Sequence, residues 1–164
     1  MSAPTQSSAG KNPAPFEHWR VVLRDSVKEV FSLMVGAEIN IPEDVDPPVI
    51  TEVTGMVGLA GELCGVLSVR CAKNCGAKIA SKMLAVPLTE AASHISDAVG
   101  EICNMVAGNF KAKIDGLQDK CMLSVPTVIT GGDYQLYSLA VGDRIELPFL
   151  FEGESIWIGL EVRS

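Results

Sequence analysis

Apolar residues recur at helical spacing in three stretches of the chain, and shorter apolar runs bounded by turn residues lie between them. Residues 16 to about 35 form the first helical stretch, with Gly36 as the kind of stop that helices use just past their C-terminus. Residues 72–84 read as a second helix. Pro87 breaks it, and Thr89 is the expected N-cap of a long third helix running to about Lys113. Runs 49–60 and 63–71 flank Gly61-Glu62 as a hairpin, and runs 145–151 and 155–162 flank Gly153-Glu154 in the same manner. Residues 121–129 make a further strand, in which Pro126 belongs at an edge or a bulge, and Gly131-Gly132-Asp133 then turns the chain. Residues 39–48, with three prolines and three acids, suit a loop or a short edge strand. Strands joined by tight turns favour an antiparallel sheet of about six strands covered by helices, an α+β layer fold.

The pattern repeats. Asp25-Ser-Val-Lys-Glu-Val-Phe-Ser-Leu-Met-Val-Gly36 aligns without gaps on Asp97-Ala-Val-Gly-Glu-Ile-Cys-Asn-Met-Val-Ala-Gly108. The stripe Leu23, Val27, Val30, Met34 then matches Ile95, Val99, Ile102, Val106, so one helix is present in two copies. With the repeated hairpins this predicts an internal pseudo-two-fold arrangement. Glu29 matches Glu101, but Ser32 stands where the second copy has Asn104. The first copy keeps the packing face and loses the amide.

Residues 1–15 are rich in Ser, Ala, Pro and Gly and carry almost no large apolar side chains. They are expected to form a disordered N-terminal tail before a single domain over residues 16–164. With 48% hydrophobic residues that domain has material for a sizeable core. A net charge of −7 argues against a nucleic-acid partner, which would require clustered Lys and Arg. The most apolar window, residues 56–69, is interrupted by Glu62 and falls short of the roughly 20 residues of a membrane span. Five cysteines, an odd count with no disulfide spacing and no signal-peptide pattern, fit reduced thiols in a cytoplasmic protein. Cys71 and Cys75 have the spacing of a helical metal pair, but no His or Cys pair follows them, so no metal site is expected.

Nucleophilic templates are missing too. His18 and His94 belong to no triad, and the glycines of residues 55–61 lie inside a strand pattern, where they mark close packing or bulges. What remains is the side of the third helix opposite its apolar stripe: Asp97, Gly100, Glu101, Asn104, Gly108 and Lys111. Glu101 and Asn104, at i and i+3, bring their Cβ atoms within roughly 5–6 Å and can act on one target. Polar residues on a solvated helix face are the plain explanation. Against it stand Asn104, a poor helix-interior residue, and Gly100 and Gly108, each costing about 1 kcal/mol relative to Ala. Such a face leaves room for another molecule's backbone.

The segment from Asp97 to Lys111 resembles the Glu-x-x-Asn helix of the CheC/CheX/FliY family of chemotaxis phosphatases, and the element order over residues 16–162 is similar to theirs. One intact motif on the second repeated helix resembles the CheX members most. The resemblance implies a phosphatase that hydrolyses the aspartyl phosphate of a response regulator, typically phosphorylated CheY. Mg²⁺ would be held by the regulator, and the chain would need no cofactor of its own. Asn104 would enter the regulator's active site and orient the attacking water, while Glu101 would pair with its conserved lysine. Asp97, Gly100, Gly108 and Lys111 become lesser candidates for the partner surface; helix solubility, and for Lys111 a favourable charge near a helix C-terminus, is the stronger explanation of them. The family also implies a homodimer made by exchanging sheet elements. Strands 147–160, with Phe149, Phe151 and Trp157, offer an interface unless they are intramolecular core. Two non-catalytic readings stand beside the phosphatase: a docking module for a response regulator, and a flagellar-switch-like interaction protein.

Overall fold

The computed structural model describes residues 14–42, 51–132, 134 and 142–163. The elements in order are α1 (Ala14–Val30), β1 (Val53–Gly61), β2 (Gly65–Cys71), α2 (Lys73–Leu84), α3 (Leu88–Ala91), α4 (Ile95–Lys113), β3 (Cys121–Leu123), β4 (Thr127–Thr130), β5 (Gly142–Phe151) and β6 (Glu154–Arg163). The tail reading lies outside the described residues for 1–13, but Ala14 and Pro15 already belong to α1. Proline is tolerated in a first helical turn, where no intrahelical bond is asked of its nitrogen. Residues 43–50 and Asp133, to which a loop, a strand start and part of a turn were assigned, also lie outside the described residues.

Alternation sets the sheet. Val53, Val57 and Leu59 of β1, Leu67 and Val69 of β2, Ile145, Leu147 and Phe149 of β5, and Ile156, Ile158 and Leu160 of β6 are all buried on one face. All pairings are antiparallel, in the order β3-β1-β2-β6-β5, with β4 also on β1. The two hairpins thus meet along β2 and β6, with β1 and β5 outside them, which is the two-fold arrangement the repeat predicts. Their turns differ: the first hairpin closes over residues 62–64, the second over Glu152 and Gly153, both at positive φ (48° and 79°).

The run 121–129 is divided as Pro126 requires. Val57 and Gly58 of β1 face three residues, 124–126, so one extra residue bulges from the edge. Ser124 holds the bulge: its N–H donates to the Gly58 carbonyl at 2.9 Å, and its hydroxyl accepts the Gly58 N–H at 2.8 Å.

The helices cover the apolar face, α4 lying across β1 to β4. It lies close because Gly55 of β1 presents no side chain: a Cβ there would stand 3.2 Å from Val99 Cγ1. Gly76 performs the same service on α2, where a Cβ would meet Ile95 Cγ2 at 2.7 Å. The start of the third helix is a correction. Pro87, not Thr89, is the N-cap of α3, and its carbonyl accepts the N–H groups of Glu90 and Ala91. A short 3₁₀ segment, Ala92–His94, then separates α3 from α4.

The repeated helix departs from its copy as well. Residues Phe31–Val35 wind as a π turn before stopping at Gly36, which has φ 68°. A π turn spends an extra residue, so the buried face rotates. Phe31 and Val35 are buried, Phe31 against Phe151 with ring centroids 5.7 Å apart, while Met34, expected in the stripe, is 38% exposed. Leu23, Val27 and Val30 are buried as the stripe requires.

Candidate functional site

Helix α4 buries an unusually wide arc. Ile95, Ala98, Val99, Ile102, Cys103, Val106, Ala107 and Phe110 are buried against the sheet, α1 and α2, and Trp19 of α1 meets Phe110 edge-on at 6.5 Å. At about 100° per residue, Asp97, Glu101, Asn104, Gly108 and Lys111 fall on the remaining face, within roughly 80° of one another. Asp97 and Glu101 are exposed, and Asn104, Gly108 and Lys111 are half-buried. The result is a polar ridge with one bare position. Asp97 in the first turn and Lys111 and Lys113 in the last complement the helix dipole.

Gly100 does not join the ridge. It is buried, and a Cβ there would meet Val128 Cγ2 at 3.2 Å and Pro126 Cβ at 3.6 Å. The room that its missing side chain leaves is taken by β4, a strand distant in sequence. Gly108 is nearer to the expectation: the first atom a Cβ would meet is Leu123 Cδ1, at 4.0 Å.

The two copies of the motif are used differently. Among the described residues neither Glu101 nor Asn104 makes a side-chain hydrogen bond or ion pair. Glu29 is bonded to Lys113 at the end of α4. That hydrogen bond and the ammonium charge, with a further hydrogen bond from Asn109, hold the Glu29 carboxyl below its ordinary value. No sequence pattern signals this pair, because Lys113 stands on a helix end where any cation is favourable. The glutamate of the first copy is tied within the fold, and Ser32 beside it is exposed.

The cysteines sit apart from this face. Cys103 lies between the two motif residues in sequence but points inward, donates to the Leu67 carbonyl at 3.6 Å, and is pushed by burial up to about 12. Cys71 ends β2 and Cys75 lies in the first turn of α2, both fully buried. The hydrogen bond to Cys71, together with burial, raises the Cys75 thiol. Among the described residues no three His, Cys, Asp or Glu side chains converge as a metal group, and no helix is long and apolar enough to cross a membrane. A cleft of about 440 Å³ opens at the N-terminal end of α4, lined by Glu52, Lys73, Ser93, Ser96, Thr130 and Gly131. It lies beyond the Asp97 end of the ridge, and no pattern in the sequence marks it.

No curated protein sequence matches the chain. Solved structures do. A CheC-like superfamily protein from Shewanella sp. PV-4 is 23% identical, with TM-score 0.75 over 89% of this chain and 97% of that one. The chemotaxis protein CheX from Vibrio vulnificus is 23% identical, with TM-score 0.74 over 88% and 96%. CheX of Borrelia burgdorferi, solved in a complex with CheY, BeF3 and Mg²⁺, is 21% identical, with TM-score 0.73 over 89% and 98%. These likenesses show the fold. The family model for the chemotaxis phosphatase CheX matches residues 53–150, which include all of α4 with Glu101 and Asn104, and on that match the chain belongs to the CheX family.

Proposed function

We propose that the chain hydrolyses the aspartyl phosphate of a response regulator of the CheY type, with the α4 ridge as the part that enters the regulator's active site. The observation that carries this reading is the Glu101 and Asn104 pair, without side-chain partners among the described residues and one helical turn apart on the open face of α4, inside the region matched by the family model. The Borrelia relative solved with CheY, BeF3 and Mg²⁺ supports the choice of partner.

The chemistry asks for what the ridge offers. An acyl phosphate already has a good leaving group, and its Mg²⁺ belongs to the regulator, so little covalent work remains. Catalysis becomes positioning and electrostatics. The Asn104 carboxamide, with a donor and an acceptor on one short stem, holds a water in line with the phosphorus, and its half-buried setting on a helix restrains it. The Glu101 carboxylate accepts from the regulator's active-site lysine, fixing register and loosening that lysine's hold on the phosphoryl group. Asp97, Gly108 and Lys111 extend the same contact face, with Gly108 admitting close backbone approach. In this reading the protein is cytoplasmic, uses no cofactor of its own, and forms a homodimer through sheet elements.

The test is the lifetime of a radiolabelled phosphoryl group on a panel of receiver domains, with and without the chain. Shortened lifetime on at least one receiver is expected. Unchanged lifetimes across the panel would contradict the phosphatase reading, and tight binding without turnover would put a docking module in its place.

A further inference from the structure

A receiver held by Glu101 and Asn104 alone is held weakly, because exposed charges contribute little net free energy in water. Interfaces take their affinity from a desolvated apolar centre. The ridge contains no large apolar side chain. The flank of the ridge does.

Pro126 stands over Gly100 and Leu123 stands over Gly108, at the distances given above. Residues 123–126 therefore run beside α4 in the opposite direction, and the two residues between, Ser124 and Val125, come level with Asn104, midway between the glycines. Eight residues of helix and three of extended chain both span about 10–12 Å, so the two segments match in length. Ser124 is pinned to Gly58 by two hydrogen bonds. Val125 is left outside, 83% exposed, the most exposed large apolar side chain among the described residues. The edge here is ill suited to pairing with a strand of a second copy, since β3 and β4 have only three and four residues, are separated by a bulge, and Pro126 lacks an N–H.

We propose that Val125, supported by Leu123 and Pro126, is an apolar anchor that packs against the receiver domain beside its phosphorylated aspartate, setting affinity and receiver choice while Asn104 carries turnover. This rests on the phosphatase reading for the identity of the partner. Val125 is a positioning residue: it touches the receiver's surface and not the reacting atoms.

The test measures binding and turnover separately for the wild type, Val125→Ser, Val125→Asp and Asn104→Ala. Receivers activated with beryllofluoride and Mg²⁺ report Kd, and phosphorylated receivers report kcat and KM. Both Val125 variants should raise Kd and KM, Val125→Ser by about tenfold as expected for one lost apolar anchor, with kcat within about twofold of wild type. Asn104→Ala should do the reverse. At 83% exposure Val125→Ser should keep the wild-type melting temperature, and it carries the test alone if the aspartate variant does not fold. Wild-type Kd in the Val125 variants overturns the inference, as does a changed sedimentation mass with unchanged Kd, which would give the anchor to a second copy. Weakened binding in the variants, where even wild type accelerates no phosphoryl loss, would sustain the anchor and sink the catalytic reading. Failure of wild type to bind any receiver would sink both.

Discussion

Glu29 and Glu101 come from the same position of a repeated helix, yet one is bonded to Lys113 and the other is exposed, with no partner among the described residues. The depressed Glu29 carboxyl fixes the sign of a pH effect. A group whose folded value lies below its ordinary 4.5 contributes stability that is present above that value and lost as the pH falls through the folded one. The difference in melting temperature between wild type and Lys113→Ala should therefore shrink as pH falls through the carboxylate range. A difference that stays constant from neutral to acid pH would contradict the pair. Cys103 gives the opposite sign. Burial raises it from 9.0 to about 12, so the stability it contributes is complete below 9.0 and drains away as pH climbs toward 12. Cys103→Ala should show a shallower alkaline loss than wild type; parallel curves would contradict this. Glu101 and Asn104 were legible in the sequence because helical period alone puts them on the open side of a long amphipathic helix. Gly100 was not, because what fills the space beside it is Val128 and Pro126, and no local pattern announces a strand that arrives from elsewhere in the chain.

At the scale of elements, α4 is held close to its neighbours by missing side chains. Gly76 is the sharpest case, since Ile95 is buried and its methyl stands 2.7 Å from where a Cβ would be. Alanine at an open helical glycine would gain about 1 kcal/mol. Here the clash should outweigh that, and Gly76→Ala should destabilise the fold by about 1–3 kcal/mol, read as a lower urea midpoint. An unchanged or higher midpoint would show that α2 and α4 separate freely. The hairpins, the bulge at Pro126 and the stop at Gly36 were readable, because each follows from a local rule about turn residues or proline. The π turn was not. The gapless alignment of the two helices assumed a constant winding, whereas packing of Phe31 on Phe151 rewards an extra residue in the last turn of the first copy and turns Met34 outward.

For the whole molecule, the sheet has two unlike ends. One is the broken edge of β3 and β4 beside the ridge, and the other is β5, ten residues long and bridged at Leu150 by Asn40. Of the apolar side chains that could form a dimer interface in strands 147–160, Phe149 and Phe151 are spent on the core and fully buried, whereas Trp157, between the inward-facing Ile156 and Ile158, is half-buried on the other side of the sheet. For the proposed homodimer, sedimentation equilibrium should give about twice the 17.4 kDa of one chain. A mass of one chain across the concentration range would contradict the homodimer. The two-fold sheet was legible from the repeated hairpins; the unlike lengths of its two edges needed the register.

If Asn104 carries turnover on a ridge that docks without it, as proposed, one variant separates the two. The decisive measurement is single-turnover decay of a phosphorylated receiver at saturating wild-type protein and at saturating Asn104→Ala. Decay should accelerate with wild type and run at the receiver's own rate with Asn104→Ala, with nearly equal Kd for the two. Equal acceleration by both proteins would contradict that role for Asn104.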